Sequence, residues 1–106
     1  MDQSPFSELA AVDRLIHDPS RLAIVSALLA CQEADFQYLL AATALSKGNL
    51  SSHLSKLEAA GVVEIRKGFD RKVPWTRARL TSDGRKRVEG HWRDLQRIMN
   101  RAKSHR

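Results

Sequence analysis

Between Ser46 and Lys56 the chain reads SKGNLSSHLSK, a run in which nearly every side chain other than leucine gives or takes a hydrogen bond. The Asn49 amide carries the adjacent donor and acceptor that match the edge of adenine, and Lys47 and Lys56 reach guanine or a phosphate oxygen. Ser51 and Ser52 suit either target, and His53 donates to a phosphate or a base edge. Ser46 and Gly48 fall where a helix would begin, so free N–H groups and a partial positive charge face the same way. Gly48 also lets backbone approach closely. Further on, Lys67, Arg71, Lys72 and Arg77 add cations suited to phosphates or a neighbouring minor groove. None of this is bond-making chemistry. It is the chemistry of reading one DNA groove and gripping the next.

Those side chains need a helix and a ribbon to hold them. Leu50, Leu54, Leu57 and Ala60 recur at steps of four, three and three, which predicts a helix over 46–60 with its leucines inward. Ser46 is its expected N-cap, Gly61 its left-handed terminus, and Val62 the apolar contact beyond. Ser51 and His53 lie at the margin of the polar face, and packing against the preceding helix is the alternative for both. Residues 62–67 and 75–80 alternate and are β-rich, predicting a hairpin. Its tip, 68–74, reads as too long for a two-residue turn. Ala78 and Leu80 should face inward, with Arg77 and Arg79 on the other side.

Upstream, Leu9, Val12, Leu15 and Ile16 predict a first helix over 4–17. His17-Asp18-Pro19 breaks it, and Asp18 caps a second helix over 19–30 that is almost wholly apolar on its core side. A short extended step at 34–36 precedes a brief third helix, capped by Asp35, with Leu39 and Leu40 inward. Downstream, Thr81 should cap a long last helix over 81–103. Its Val88, Trp92, Leu95, Met99 and Ala102 form a heptad-like seam. Core packing and dimer packing are both readings of that seam. A domain this small cannot bury Trp92 and Met99 alone, which favours a second protomer, with Phe6 and Leu9 of the first helix as the facing surface.

A chain of 106 residues with 42 % hydrophobic content is one domain with a modest core. Its net charge of +6 is unevenly placed. Residues 1–60 hold four Lys/Arg against seven Asp/Glu, whereas residues 61–106 hold fourteen against five. A near-neutral body joined to a basic half is the footprint expected for a polyanion, although a solvated helix face also accounts for the C-terminal run. No apolar run approaches a membrane span, and the acidic N-terminus lacks the basic start of a secretory signal. A single cysteine, Cys31, forms no internal disulfide and fits a cytoplasmic chain.

The series Leu45-Ser46-x-x-x-Leu50-Ser51-x-His53-Leu54-x-x-Leu57-x-x-x-Gly61-Val62-Val63, then a basic wing, then Leu80-Thr81-x-x-Gly84, resembles the MarR/ArsR-type transcription regulators. The likeness is greatest to the short "winged helix DNA-binding domain" proteins of that group and covers residues 18–87. It implies a mainly α fold with a small β-hairpin, a winged helix-turn-helix of five helices with a two- to three-stranded wing sheet. It also implies a homodimeric, cytoplasmic, sequence-specific regulator of double-stranded DNA, read here as a repressor. The helix 46–60 would lie in the major groove, and the wing 66–77 on phosphates or the minor groove. Residues 1–106 then form one domain, with 1–17 and 85–106 as dimerisation segments. Two-fold symmetry would set the recognition helices about 34 Å apart on a pseudo-palindromic operator. A protein-interaction module and a non-specific nucleic-acid binder are the alternatives.

Little else in the sequence points to chemistry. There is no glycine-rich phosphate loop, nucleophile motif or paired carboxylate, so no enzyme and no cofactor is expected. Metal-sensing relatives carry a cysteine pair near the third helix, where this chain reads ADFQYLLAAT. Glu89, His91, Asp94 and His105 only loosely resemble another branch's ligand set, and their spacing does not match. Cys31 reads as an inert small residue, with redox sensing the alternative. A small-molecule effector stays open.

Overall fold

Four short polar side chains set where the main helices begin. In the computed structural model, which describes residues 5–104, Asp18 accepts from the Arg21 N–H at 3.0 Å and Asp35 from Tyr38 at 2.7 Å. Ser46 accepts from Asn49 at 3.1 Å, and Thr81 from Gly84 at 2.9 Å. Each satisfies a donor that the first helical turn leaves unpaired. The helices so opened are α2 (Pro19–Leu29), α3 (Phe36–Thr43), α4 (Lys47–Ala59) and α5 (Ser82–Ser104), preceded by a short α1 (Pro5–Leu9). Strands β1 (Ala34–Asp35), β2 (Val63–Asp70) and β3 (Val73–Leu80) form one antiparallel sheet in the order β1-β3-β2. The result is a winged helix-turn-helix.

Its core joins Ile16, Ile24, Val25, Leu28, Leu39 and the three leucines of α4 to Val62, Val63, Ala78, Leu80 and Val88. Burying each valine, leucine or isoleucine of this set stabilises the fold by roughly 1.5–3 kcal/mol. α4 ends in a Schellman motif. Gly61 at φ +76° donates to Glu58, and Val62 donates to Leu57, both at 2.9 Å. Ala60, expected on the apolar stripe, is instead the exposed C-cap of the helix.

The first helix is shorter than its periodicity predicts. Ser4, its expected start, lies outside the described residues. After Leu9, the N–H groups of Ala10, Ala11 and Val12 each reach back only three residues, so the helix winds down. Asp13 then turns the chain, its carboxylate accepting from Leu15 and Ile16. The Arg87 guanidinium pairs with the same carboxylate, ties this turn to α5 and holds the Asp13 pKa below its usual value.

The 23 residues of α5 run about 34 Å. Thr81 seats its start, donating from its N–H to the Val62 carbonyl at 3.0 Å and from its hydroxyl to Gly61 O at 2.6 Å. The buried line is Gly84, Val88, His91 and Ile98, with Leu95 and Ala102 half-buried. This corrects the expected seam. Val88 is fully buried inside the protomer and is not an interface residue. Trp92 and Met99 stay 44 % and 45 % exposed, although the Trp92 indole N–H reaches Ser26 Oγ at 3.2 Å. α1 covers the far part of α5, with Glu8 paired to Arg97 and Arg101. The molecule spans 62 × 25 × 21 Å with a radius of gyration of 16.2 Å, against about 13 Å for a round chain of this length.

The hairpin tip also differs from expectation. β2 and β3 stay in register from Val63↔Leu80 out to Asp70↔Val73, leaving only Arg71 and Lys72 as the turn. Their φ values of +49° and +68° are those of a type I′ turn, which suits the twist of a two-residue hairpin. Asp70↔Val73 is then the closing hydrogen-bonded pair, so Pro74, opposite Phe69, occupies a non-hydrogen-bonded position. β1 pairs only as far as Arg77, so the missing Pro74 N–H costs no ladder bond.

Candidate nucleic-acid interface

A helix advances 100° per residue, so fixing Leu50, Leu54 and Leu57 in the core decides which side chains of α4 stand outward. Lys47, Gly48, Asn49, Ser51, Ser52 and Lys56 are exposed, as is the cap Ser46, and no described part of the chain covers them. Ser55 joins this face and was missed in the sequence, although one turn beyond Ser51 and Ser52 is where the same face must continue. Apart from its chain neighbours and the backbone of its own helix, Gly48 has no atom within 4 Å of where a Cβ would stand, so its surface is open.

His53 behaves differently. It is half-buried, and its Nδ1 lies 3.3 Å from Nη1 of Arg21, a side chain that only donates. In that contact Arg21 is the donor and Nδ1 the acceptor. Arg21 is itself held by the Leu15 carbonyl at 2.7 Å. The packing alternative thus describes His53, which props α4 against the start of α2. Ser51 stays exposed on the opposite flank. There it lines a cleft of about 250 Å³ between α4 and the wing, with Phe36, Ser55, Ile65, Lys67 and Thr76.

Strand alternation sorts the wing into two faces. Val63, Ile65, Lys67 and Phe69 share one with Leu80, Ala78, Thr76 and Pro74, which places Lys67 beside α4. Arg66, Trp75, Arg77 and Arg79 share the other. The Arg77 guanidinium sits 4.2 Å from the Trp75 ring centre, with its Nε 3.8 Å from Glu33, while Arg66 approaches the same ring at 5.9 Å and pairs with Glu33 at 2.9 Å. Arg79 pairs with Glu64. Arg77 is therefore partly neutralised on the far face. Lys47, Lys56, Lys67, Arg71 and Lys72 are exposed and have no carboxylate within ion-pair distance among the described residues.

No three His, Cys, Asp or Glu gather at metal-ligand distances among the described residues. Of the loosely matching set, His105 lies outside them, Glu89 and Asp94 are exposed, and His91 points inward. His91 is buried, with its Nε2 at 3.2 Å from Nδ1 of His17. Burial, followed by the His17 charge, pushes its pKa below the usual imidazole value. Cys31 is half-buried at the core margin. No helix among the described residues is long and apolar enough to cross a membrane.

A sequence profile described as "winged helix DNA-binding domain" matches residues 20–99. An uncharacterized protein of Methanocaldococcus jannaschii is 32 % identical over 72 residues, spanning 68 % of this chain and 78 % of its own. The structure of a transcriptional regulator homologue from Pyrococcus horikoshii is 26 % identical and superposes with a TM-score of 0.82 over 92 % of this chain and 96 % of that one. A MarR-family transcriptional regulator from Silicibacter pomeroyi shares the fold at 22 % identity and a TM-score of 0.65, over 92 % of this chain and 63 % of its own.

Proposed function

The chain belongs to the winged helix DNA-binding domain family, and from that premise we propose that this DNA-binding transcriptional regulator reads a specific double-stranded sequence as a homodimer. The carrying observation is the outward polar face of α4, exposed along its length while the leucines on its other side are buried. In this reading α4 enters the major groove. Asn49 and Lys47 meet base edges, Ser46, Gly48, Ser51, Ser52 and Lys56 meet bases or backbone, and His53 holds the helix in place. Lys67, Arg71 and Lys72 of the wing engage phosphates or the adjacent minor groove. Arg77 stays with Glu33 and contributes less.

The whole chain acts as one domain in this proposal, in the cytoplasm. Residues 1–17 and 85–106 supply the dimer stem. Phe6 and Leu9, 67 % and 41 % exposed, join Trp92, Met99 and the half-buried Leu95 as its apolar surface. Repression by occupying a promoter is the simplest use of such a dimer and rests on kinship alone.

Selecting duplexes from a random library tests the reading. Enrichment of a two-fold related site with half-sites about one helical turn apart is expected. Asn49→Ala should abolish discrimination between the selected site and a scrambled one at unchanged salt dependence. Changing Arg71 and Lys72 to alanine should weaken all sequences alike. With four uncompensated cations per protomer contacting phosphate (Lys56, Lys67, Arg71 and Lys72), the log–log salt slope of a dimer should be about −7. A shallow slope without enrichment favours a protein-interaction module; a steep slope without enrichment favours non-specific binding. Either result defeats the proposal.

A further inference from the structure

The end of the wing carries a feature that phosphate gripping leaves unused. Phe69 and Val73 are 76 % and 63 % exposed, and Pro74 beside them is exposed as well. Isolated exposed apolar residues need no explanation, but Phe69 and Pro74 are cross-strand partners on one face at the tip of a projecting ribbon, with Val73 on the opposite face across from Asp70. Between the strands lie Arg71 and Lys72, both at positive φ. Asn-Gly would occupy such a turn without strain, so the chain holds two cations where their backbone is disfavoured. Strain of this kind concentrates where a residue is needed for something other than folding.

The tip is also stiffly mounted. At Gly68 a Cβ would lie only 2.4 Å from the Trp75 indole, so the ring covers the strand directly. That ring lies against the Arg66 and Arg77 guanidiniums, and Glu33 beside β1 ties both arginines to the body of the domain. A lever braced this way holds its end in place.

We propose that the wing tip is an apolar wedge, with Phe69, backed by its cross-strand partner Pro74, entering the minor groove of a bound duplex and prising open a base step while Arg71 and Lys72 hold the flanking phosphates. This rests on the DNA-binding reading above and adds to it that the protein bends its site. Charge selects the occupant. Arg71, Lys72 and nearby Lys67 outnumber the one tip carboxylate, Asp70, which lies on the other face of the ribbon from Phe69. A second copy would set like charge against like charge, whereas a duplex offers phosphates around an apolar stack. Phenylalanine and proline are among the side chains that kink DNA from the minor groove, by roughly 20–90°.

The test uses the full chain and a duplex it has itself enriched from a random pool. Bend angle is read by energy transfer between end-attached dyes, and unstacking by 2-aminopurine placed along the flank. The wild-type complex should bend the duplex by tens of degrees and brighten 2-aminopurine at one step per half-site. Phe69→Ala should leave a bound but nearly straight duplex without that brightening, and Phe69→Leu should restore most of the bend. A urea midpoint equal to wild type for Phe69→Ala shows that the fold is intact. A straight wild-type complex, or one bent equally by Phe69→Ala, overturns the wedge and leaves the DNA-binding reading standing. Failure of the wild type to enrich any duplex overturns both. A change in sedimenting mass for Phe69→Ala with no change in bend assigns the tip to a second copy and also overturns the proposal.

Discussion

Replacing Gly84 with alanine should damage this fold out of proportion to one methyl group. The added Cβ would stand 1.9 Å from the Val62 carbonyl oxygen and 2.7 Å from its carbon. Comfortable contact begins near 3.5 Å. The start of α5 must therefore retreat by roughly 1.5 Å, and what it retreats from is backbone, which no rotamer change relieves. That movement breaks the 3.0 Å hydrogen bond from Thr81 N–H to the same carbonyl. Overpacking costs about 1–3 kcal/mol, and an unpaired buried carbonyl about 1–3 kcal/mol. Better helix propensity returns at most about 1 kcal/mol. The net loss is about 3 kcal/mol. With a urea dependence of about 1.5 kcal/mol per molar, the unfolding midpoint should fall by about 2 M. Gly90→Ala is the control, because its Cβ meets only the Arg93 side chain, at 3.6 Å. That variant should hold or raise the midpoint. A Gly84→Ala midpoint equal to or above wild type would refute the account of how α5 is seated.

Changing Trp92 and Met99 together to serine should convert dimers to monomers in sedimentation equilibrium while far-UV circular dichroism stays unchanged; persistent dimers would place the interface elsewhere. The lowered His91 pKa means the unfolded chain binds the extra proton first. Its contribution is therefore complete above about pH 6.5 and is lost as pH falls from there through the folded value. Urea midpoints should drop between pH 8 and pH 5.5, and drop less in His91→Gln; equal drops would remove His91 as the cause. Replacing Arg71-Lys72 with Asn-Gly should relieve the turn and raise stability by about 1 kcal/mol, seen as a higher urea midpoint, while DNA affinity at fixed salt falls.

Local chemistry was readable in the sequence where it acts within a few residues. Asp18, Asp35, Ser46 and Thr81 each cap the helix that follows them, and Gly61 ends α4 at the expected place. The leucine spacing of α4 set which of its polar side chains face outward, apart from His53, whose half-burial against Arg21 it left open. Errors arose where a competing interaction was non-local or lacked a propensity signal. The apolar period across Leu9, Val12 and Ile16 concealed that Asp13 would take the next backbone donors for itself. On α5 the buried position goes to His91 rather than its more apolar neighbour Trp92, because His17 supplies a polar partner from 74 residues away. Arg and Lys give no hint of positive φ, so the two-residue turn was not foreseen. Glu33, which takes Arg77 out of the set of free cations, is distant from it in sequence and adjacent only across the sheet.

The elongated outline has a consequence for how this protein behaves in a purification. A body 62 Å long and little more than 20 Å thick meets more friction than a sphere of the same 11.9 kDa. A lone chain will leave a sizing column early, near the volume a rounder protein of greater mass would take. Two chains joined along their stems can pack into a stockier particle and elute later than their summed mass would indicate. Elution volume thus understates the difference between one chain and two, and light scattering, which weighs the particle whatever its outline, separates them.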